Sequence, residues 1–298
     1  MTGRFAPSPS GRMHLGNVFT ALLAWLSVRS QEGKMLLRVE DLDPDRSKQT
    51  YIDALRADLE WLGLDWDEEM PLQSGRSEIY ASYFDQLDTY PCYCTRSELH
   101  AASAPHASDG TLIYSGACRN LTAEERELKT KRPSWRVRVP ERTVAFEDGV
   151  WGKITEFLPT DCGDFILRRS DGVYAYQLAV VCDDGLGGVT EVVRGTDLLS
   201  STARQIWLYE TLGFTVPKFY HVPLLSAPDG KRLSKREKAL DLAHLRRTHT
   251  PERLLGALAF RAGLIDQKAD LSAGELIPYF KWKKIGKYPI VIIPDEEI

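Results

Sequence analysis

The sequence predicts an α/β fold built on a parallel sheet, and three observations predict it. Apolar strand-like runs alternate with helix-like ones in strand–helix–strand–helix order from the N-terminus. Turn residues punctuate the joins, as at Pro7-Ser8-Pro9-Ser10-Gly11 and Gly63. With 298 residues, 43% of them hydrophobic and 27% charged, the chain is long enough for a sizeable core and two or three structural units. Such a sheet carries its ligand site at the carboxyl ends of its strands.

Gly3 to Ala6 reads as the first strand, ending in the Pro-Ser-Pro-Ser-Gly turn. Residues 17–30 follow as a buried helix, because Val18 to Leu26 is an apolar run. Lys34 to Glu40 is the second strand, stopped by Asp41-Leu42-Asp43-Pro44. Residues 47–62 place Ile52, Leu55, Leu59 and Leu62 at helical spacing, with Gly63 as the stop. Pro7, His14 and Glu40 then fall together at the carboxyl end of the sheet. The character changes near residue 88, where Pro91-Cys92-Tyr93-Cys94 opens a polar, Ala/Ser-rich stretch that closes around Cys118. Ser134 to Val139 and Thr143 to Glu147 alternate like strands of a small antiparallel unit. Phe165 to Arg169, the Asp171-Gly172 turn and Tyr174 onward read as the return to the main sheet. Val189 to Arg194 is a further strand and 197–212 a helix. Residues 240–247, 251–263 and 271–280 read as short helices of a C-terminal unit, and no internal repeat is present.

Composition narrows the function classes. No stretch approaches the ~18 apolar residues that span a bilayer, and Met1 to Phe5 lacks a signal-peptide pattern, so a cytosolic location is the expectation. Five cysteines, an odd number, fit a reducing compartment better than a disulfide framework. The net charge of −4 does not mark a nucleic-acid binder, but its distribution is uneven. Residues 40–69 hold eleven Asp or Glu against three Lys or Arg. Residues 129–142 carry Lys129, Lys131, Arg132, Arg136, Arg138 and Arg142 against Glu141, and residues 231–247 carry seven cations against two anions. Stretches like these neutralise phosphates locally, or they are simply solvated faces.

Two segments carry the chemistry. His14 and Gly16 stand at the start of the buried helix, where free N–H groups and the positive dipole end meet an anion. Gly16 lets a ligand approach the backbone, and His14 can donate to a phosphate oxygen; the plainer alternative is an ordinary strand–helix turn. Far downstream, Lys231-Arg232-Leu233-Ser234-Lys235 follows the Pro228-Asp229-Gly230 turn, and its two lysines suit a departing polyphosphate. Cys92, Cys94 and Cys118 supply three thiolates, and a tetrahedral zinc site needs a fourth ligand, for which Tyr114, His100 and His106 are all close in sequence. The alternative is a set of buried free cysteines, which is the reading for Cys162 and Cys182. Glu40, Tyr176 and Arg194 stand out as polar residues at the ends of apolar strands.

His14-Leu15-Gly16-Asn17 and Arg232-Leu233-Ser234-Lys235-Arg236, in this order and spacing, resemble the two signatures of class I aminoacyl-tRNA synthetases. Arg4 to Gly11, Arg38 to Asp43, Trp61 to Asp67, Gln73-Ser74-Gly75-Arg76 and Val193 to Leu198 are similar to glutamyl-tRNA synthetase segments. With only 63 residues after Lys235, and with the cysteine cluster, the pattern resembles the glutamyl-Q tRNA(Asp) synthetase family, paralogues lacking an anticodon-binding domain. The resemblance implies a Rossmann-type catalytic domain over residues 1–240. A zinc-containing insert at about 88–163 would interrupt it, and a small helical unit would occupy 241–298. It implies an ATP-dependent ligase that activates L-glutamate without tRNA and transfers it to queuosine at the wobble position of tRNA(Asp). The alternatives are a minimal synthetase charging the tRNA 3′ end and an idle tRNA-binding paralogue. Carried over by position, His14 and Lys235 are catalytic, and His14, Gly16, Asn17, Lys231 and Lys235 bind ATP with Mg²⁺. Glutamate falls on Arg4, Phe5, Ala6, Pro7, Ser8, Glu40, Tyr176 and Arg194. One structural zinc falls on Cys92, Cys94, Tyr114 and Cys118, and a monomer is favoured. Asn17 and Leu233 depart mildly from the signatures, since Asn caps helices and Leu fills a volume like that of Met.

Overall fold

The computed structural model describes residues 1–95, 98, 113–227 and 241–292. Its strands are β1 (Thr2–Phe5), β2 (Lys34–Leu37), β3 (Glu68–Glu69), β4 (Thr89–Cys92), β5 (Ser134–Val137), β6 (Thr143–Asp148), β7 (Gly152–Phe157), β8 (Ile166–Arg168), β9 (Glu191–Gly195), β10 (Lys218–Val222), β11 (Leu225–Ser226) and β12 (Ile290–Val291). Seven of them form the main sheet in the order β3-β2-β1-β9-β10-β6-β7. All its pairings are parallel except β6 with β7. An α/β fold is what the strand–helix alternation predicts.

Both faces of this sheet are covered, so its strands read as continuous apolar runs. Side chains alternate between the layers: Met35 and Leu37 join one cluster, while Leu36 between them joins the other. The first layer holds helix α1 (Leu15–Arg29), helix α2 (Gln49–Leu62) and the C-terminal helices. α1 is buried almost all round, with Leu15, Leu22, Leu23 and Leu26 fully covered. Truncating any of these leucines to Ala would cost about 2–5 kcal/mol. α2 ends where expected, at Gly63, whose φ of 68° is a left-handed cap that a side chain would strain. The second layer holds helices Ser77–Phe84, Tyr176–Leu186 and Thr202–Thr211.

Three local expectations are corrected. Ser134–Val137 and Thr143–Asp148 do not pair with each other: β5 joins β4 and β8 in an antiparallel three-stranded sheet, whereas β6 sits beside β10 in the main sheet. Ile166–Arg168 is therefore the third strand of the small sheet and not the return to the main one. That return runs through helix Tyr176–Leu186 into β9, so Tyr176 opens a helix and does not close a strand. Among the described residues no helix is long and apolar enough to cross a membrane.

Candidate active site

The carboxyl ends of β1 and β9 and the N-terminus of α1 surround a cavity of about 380 Å³. Every cleft residue expected from the sequence within the described range lines it: Arg4, Phe5, Ala6, Pro7, Ser8, His14, Gly16, Asn17, Glu40, Tyr176 and Arg194. Lys231 and Lys235 lie outside the described residues. Leu224 and Leu225 also line the cavity, and Asp241 forms an isolated β-bridge with His14.

At the start of α1, His14 is the N-cap residue, and its Nδ1 accepts a hydrogen bond from Gly16 N at 3.1 Å. Asn17 Oδ1 accepts from His14 N at 3.2 Å, closing a capping box. With Nδ1 occupied as an acceptor, the neutral ring carries its proton on Nε2. Gly16 leaves the ring its place: a Cβ there would lie 3.0 Å from His14 Cε1, close enough that the ring would have to shift by a few tenths of an ångström. The helix dipole adds positive potential at the same point.

Arg4 is buried in the cavity wall. Its Nε donates to Asp184 at 3.3 Å and its Nη1 to Val193 O at 3.3 Å, so three of a guanidinium's five N–H groups remain for a ligand. Asp184 also accepts from Arg38 and, at 3.1 Å, from Tyr209 OH. Burial disfavours its charge, but Arg38 and Arg4 outweigh that and hold the carboxyl below its usual range. Arg38, fully buried, donates its other arm to Glu40 Oε1 at 3.1 Å. Burial pushes Glu40 up despite Arg38 and Arg4. Glu40 Oε2 is left for a cationic donor such as an ammonium, whose charge would offset the cost of burial.

Arg194 is tied down more completely. Nε donates to His221 Nε2 at 2.9 Å, Nη1 to Gln205 Oε1 at 2.7 Å, and Nη2 to Thr202 Oγ1 at 2.9 Å and Leu198 O at 3.3 Å. One N–H remains. Behind Glu40 and Tyr176 lies a second cavity of about 360 Å³, sharing Ser8 and Ser10 with the first and walled further on by Asp43, Arg46 and Arg169. The sequence did not single out Arg38, Asp184, Gln205 or His221. Their signal was an ionisable or amide side chain within an otherwise apolar run, as in Leu36-Leu37-Arg38-Val39.

The cysteine cluster lies at the small sheet. The sulfurs of Cys92, Cys94 and Cys118 lie within 4.8 Å of one another, with Cys94 and Cys118 at 3.6 Å. Tyr114 OH is 3.5 Å from Cys92 Sγ and 3.8 Å from Cys94 Sγ. Four ligands around a zinc with Zn–S of about 2.3 Å stand roughly 3.5–3.8 Å apart, so these groups fit a tetrahedral ion. Arg136 Nε donates to Cys92 Sγ at 3.3 Å. Although burial opposes it, hydrogen bonds from Tyr114 and Arg136 lower the Cys92 thiol. His100 and His106 lie outside the described residues. Cys162 and Cys182 are buried core residues, and burial pushes the Cys162 thiol up to about 12.

A charged cleft at the carboxyl ends of a mainly parallel sheet, beside the positive end of a helix, suits an anionic substrate. The chain belongs to the family described as tRNA synthetases class I (E and Q), catalytic domain, whose model matches residues 1–287. It is 49% identical to the glutamyl-Q tRNA(Asp) synthetase of Symbiobacterium thermophilum, over 100% of this chain and 97% of that protein. It is 50% identical to the glutamyl-Q tRNA(Asp) synthetase of Nitratidesulfovibrio vulgaris, over 88% and 86%. Among solved structures it is similar to the glutamate-tRNA synthetase of Elizabethkingia anophelis, with TM-score 0.82 and 30% identity, covering 98% of this chain and 68% of that one.

Proposed function

We propose that this protein activates L-glutamate with ATP, without tRNA, and transfers the glutamyl group to queuosine at the wobble position of tRNA(Asp). The observation that carries the reading is the meeting of Arg4, Glu40, Tyr176 and Arg194 beside His14 in one cleft, on a chain nearly half identical to relatives named for that reaction. The substrate's α-carboxylate attacks the α-phosphate of ATP in line, forming glutamyl-adenylate and releasing pyrophosphate. A hydroxyl of the modified base then takes the glutamyl group and AMP leaves. No covalent enzyme intermediate is required, so the protein positions groups and stabilises charge.

The residues divide the work by their chemistry. Arg4, with three N–H groups to offer, suits a carboxylate held by two bonds. Arg194 offers one bond and its charge to the other carboxylate. Glu40 receives the ammonium, and Tyr176 closes the wall between the two cavities. His14 Nε2–H donates to the phosphates, joined by Gly16, Asn17, Lys231 and Lys235, and Mg²⁺ accompanies ATP. The second cavity, opening behind Glu40 and Tyr176, supplies room for the acceptor nucleoside.

The reading divides the chain into a catalytic domain over 1–240, an insert at about 88–163 and a helical unit over 241–298. Zinc is held by Cys92, Cys94, Tyr114 and Cys118, and the protein acts as a monomer in the cytoplasm, where its tRNA is. Nucleosides from queuosine-bearing tRNA(Asp), incubated with protein, ATP and glutamate, should contain glutamyl-queuosine by mass spectrometry. Aminoacylation confined to the 3′ end would replace this reading with the minimal glutamyl-tRNA synthetase, and no product at all would leave the idle paralogue.

A further inference from the structure

Arg194, His221 and Asp148 come from three adjacent strands and lie in one line. β10 runs between β9 and β6, its register setting His221 beside Arg194 and Phe219 beside Asp148. All three side chains are at least nine-tenths buried. Asp148 Oδ2 is 2.6 Å from His221 Nδ1, and His221 Nε2 is 2.9 Å from Arg194 Nε. A guanidinium has no acceptor, so Nε2 must accept from Arg194, and the imidazole proton therefore sits on Nδ1, donated to Asp148. The two bonds run in one direction, from Arg194 to His221 to Asp148. Phe219 lies parallel to the ring and Thr202 Oγ1 stands 3.2 Å from Nε2, while Trp151 Nε1 holds the backbone by donating to His221 O at 3.1 Å. The charges facing it are Asp148, Arg194 and, farther off, Arg4.

We infer that Asp148 and His221 are a positioning pair for Arg194, which lock the imidazole tautomer that holds the guanidinium plane for the substrate's carboxylate. The inference rests on the reading that Arg194 meets a carboxylate of glutamate. A guanidinium with one N–H to offer must be aimed, because rotation by a few tens of degrees would lose the contact. His221 has no other visible task, since it lies behind Arg194 and does not line the cavity.

Asp148→Asn tests the direction of the chain without removing it. Asp148 Oδ1 accepts from Val150 N at 3.0 Å and Trp151 N at 2.8 Å, and an Asn Oδ1 can keep both. Its amide nitrogen would replace Oδ2 and donate to Nδ1, moving the imidazole proton to Nε2, where it faces the Arg194 N–H, donor against donor. A carboxylate that fixes a His tautomer plays the corresponding part in hydrolase triads. In glutamate-dependent ATP–pyrophosphate exchange, Asp148→Asn and His221→Leu should each raise KM for glutamate by about 10-fold. Turnover and KM for ATP should stay within about 2-fold. His221→Gln, which keeps an acceptor for Arg194, should recover most of the affinity. A merely structural role would instead move both KM values and turnover together, with no recovery by Gln, and that result overturns the inference. It is likewise overturned, with the reading of Arg194 intact, if Arg194→Lys raises the glutamate KM while Asp148→Asn and His221→Leu leave it unchanged. If Arg194→Lys also leaves it unchanged, Arg194 is not a carboxylate ligand, and reading and inference fail together. Should Asp148→Asn not fold, His221→Gln against His221→Leu makes the same decision.

Discussion

Two arginines reach the same cleft with opposite degrees of freedom. Arg4 is anchored through two of its N–H groups and Arg194 through four, so the protein presents one adaptable fork and one fixed point. Each is held by buried acceptors that a purely apolar core would not need, and that arrangement has a pH signature. Burial lowers His221 from 6.5 to about 4, against the pull of Asp148. A depressed His binds its proton more weakly folded than unfolded, so its contribution to stability is present above the unfolded pKa. That contribution is lost as pH falls from about 6.5 toward 4, reaching roughly 3 kcal/mol at pH 4. Denaturant titrations across this range should show wild-type stability falling more steeply with acid than that of His221→Gln; parallel slopes would mean that the imidazole titrates normally. His14, Glu40 and Arg194 were visible in the sequence because they sit in motifs or at strand ends. His221 and Asp184 were not, because an ionisable residue beside or within an apolar run looks the same whether it serves a site or merely satisfies a neighbour.

Among elements, α1 does the most with the least sequence. Its apolar length fixes it against β1, β2 and β9, and that burial holds its first turn rigid at the cleft. Gly16→Ala would press a Cβ against the His14 ring and push it off its place on the helix start, straining the Gly16 N to His14 Nδ1 bond. Glutamate-dependent ATP–pyrophosphate exchange should fall by about 10-fold, with thermal stability changed little, since Ala is otherwise the better helix former. Helices with a strong period or a Gly stop were legible, as α2 shows. The partition of β5, β6 and β8 between two sheets was not, because period-2 alternation says which face a strand buries but not which strand it pairs with. The three-stranded sheet is also where the cysteine cluster sits, with β4 contributing Cys92. Freshly purified, unchelated protein should carry one zinc per chain by metal analysis. Chelation should then raise hydrogen exchange in β4 and β5 while leaving β1, β9 and β10 protected, because the ligands close a local unit apart from the main sheet. Metal-free protein with an equally protected β4 would contradict this.

At the scale of the whole molecule the question is which part of a tRNA the cleft receives. Of the basic stretch at 129–142, Lys129, Lys131 and Arg132 are exposed. Arg136 is committed to Cys92, Arg138 lies over the Tyr90 ring and Arg142 pairs with Glu210. Downstream, Arg246 pairs with Asp58 and covers Trp61. Lys131 Nζ donates to Cys94 O at 2.7 Å, so charge that looks continuous in sequence is partly consumed by the fold, and Lys129 and Arg132 are the exposed cations of this stretch with the fewest such ties. Bases of a single-stranded loop can be splayed into a pocket, and on the proposed reading the second cavity adjoining Glu40 and Tyr176 would take one. Glutamylation should therefore survive removal of the tRNA's 3′-terminal adenosine and vanish when the tRNA lacks queuosine. Lys129→Glu with Arg132→Glu should weaken tRNA binding and flatten its salt dependence, leaving tRNA-free pyrophosphate exchange unchanged, because each phosphate contact contributes to the slope. If an intact 3′ end proves necessary and queuosine does not, the cleft receives the acceptor stem, and the anticodon reading of this surface is wrong.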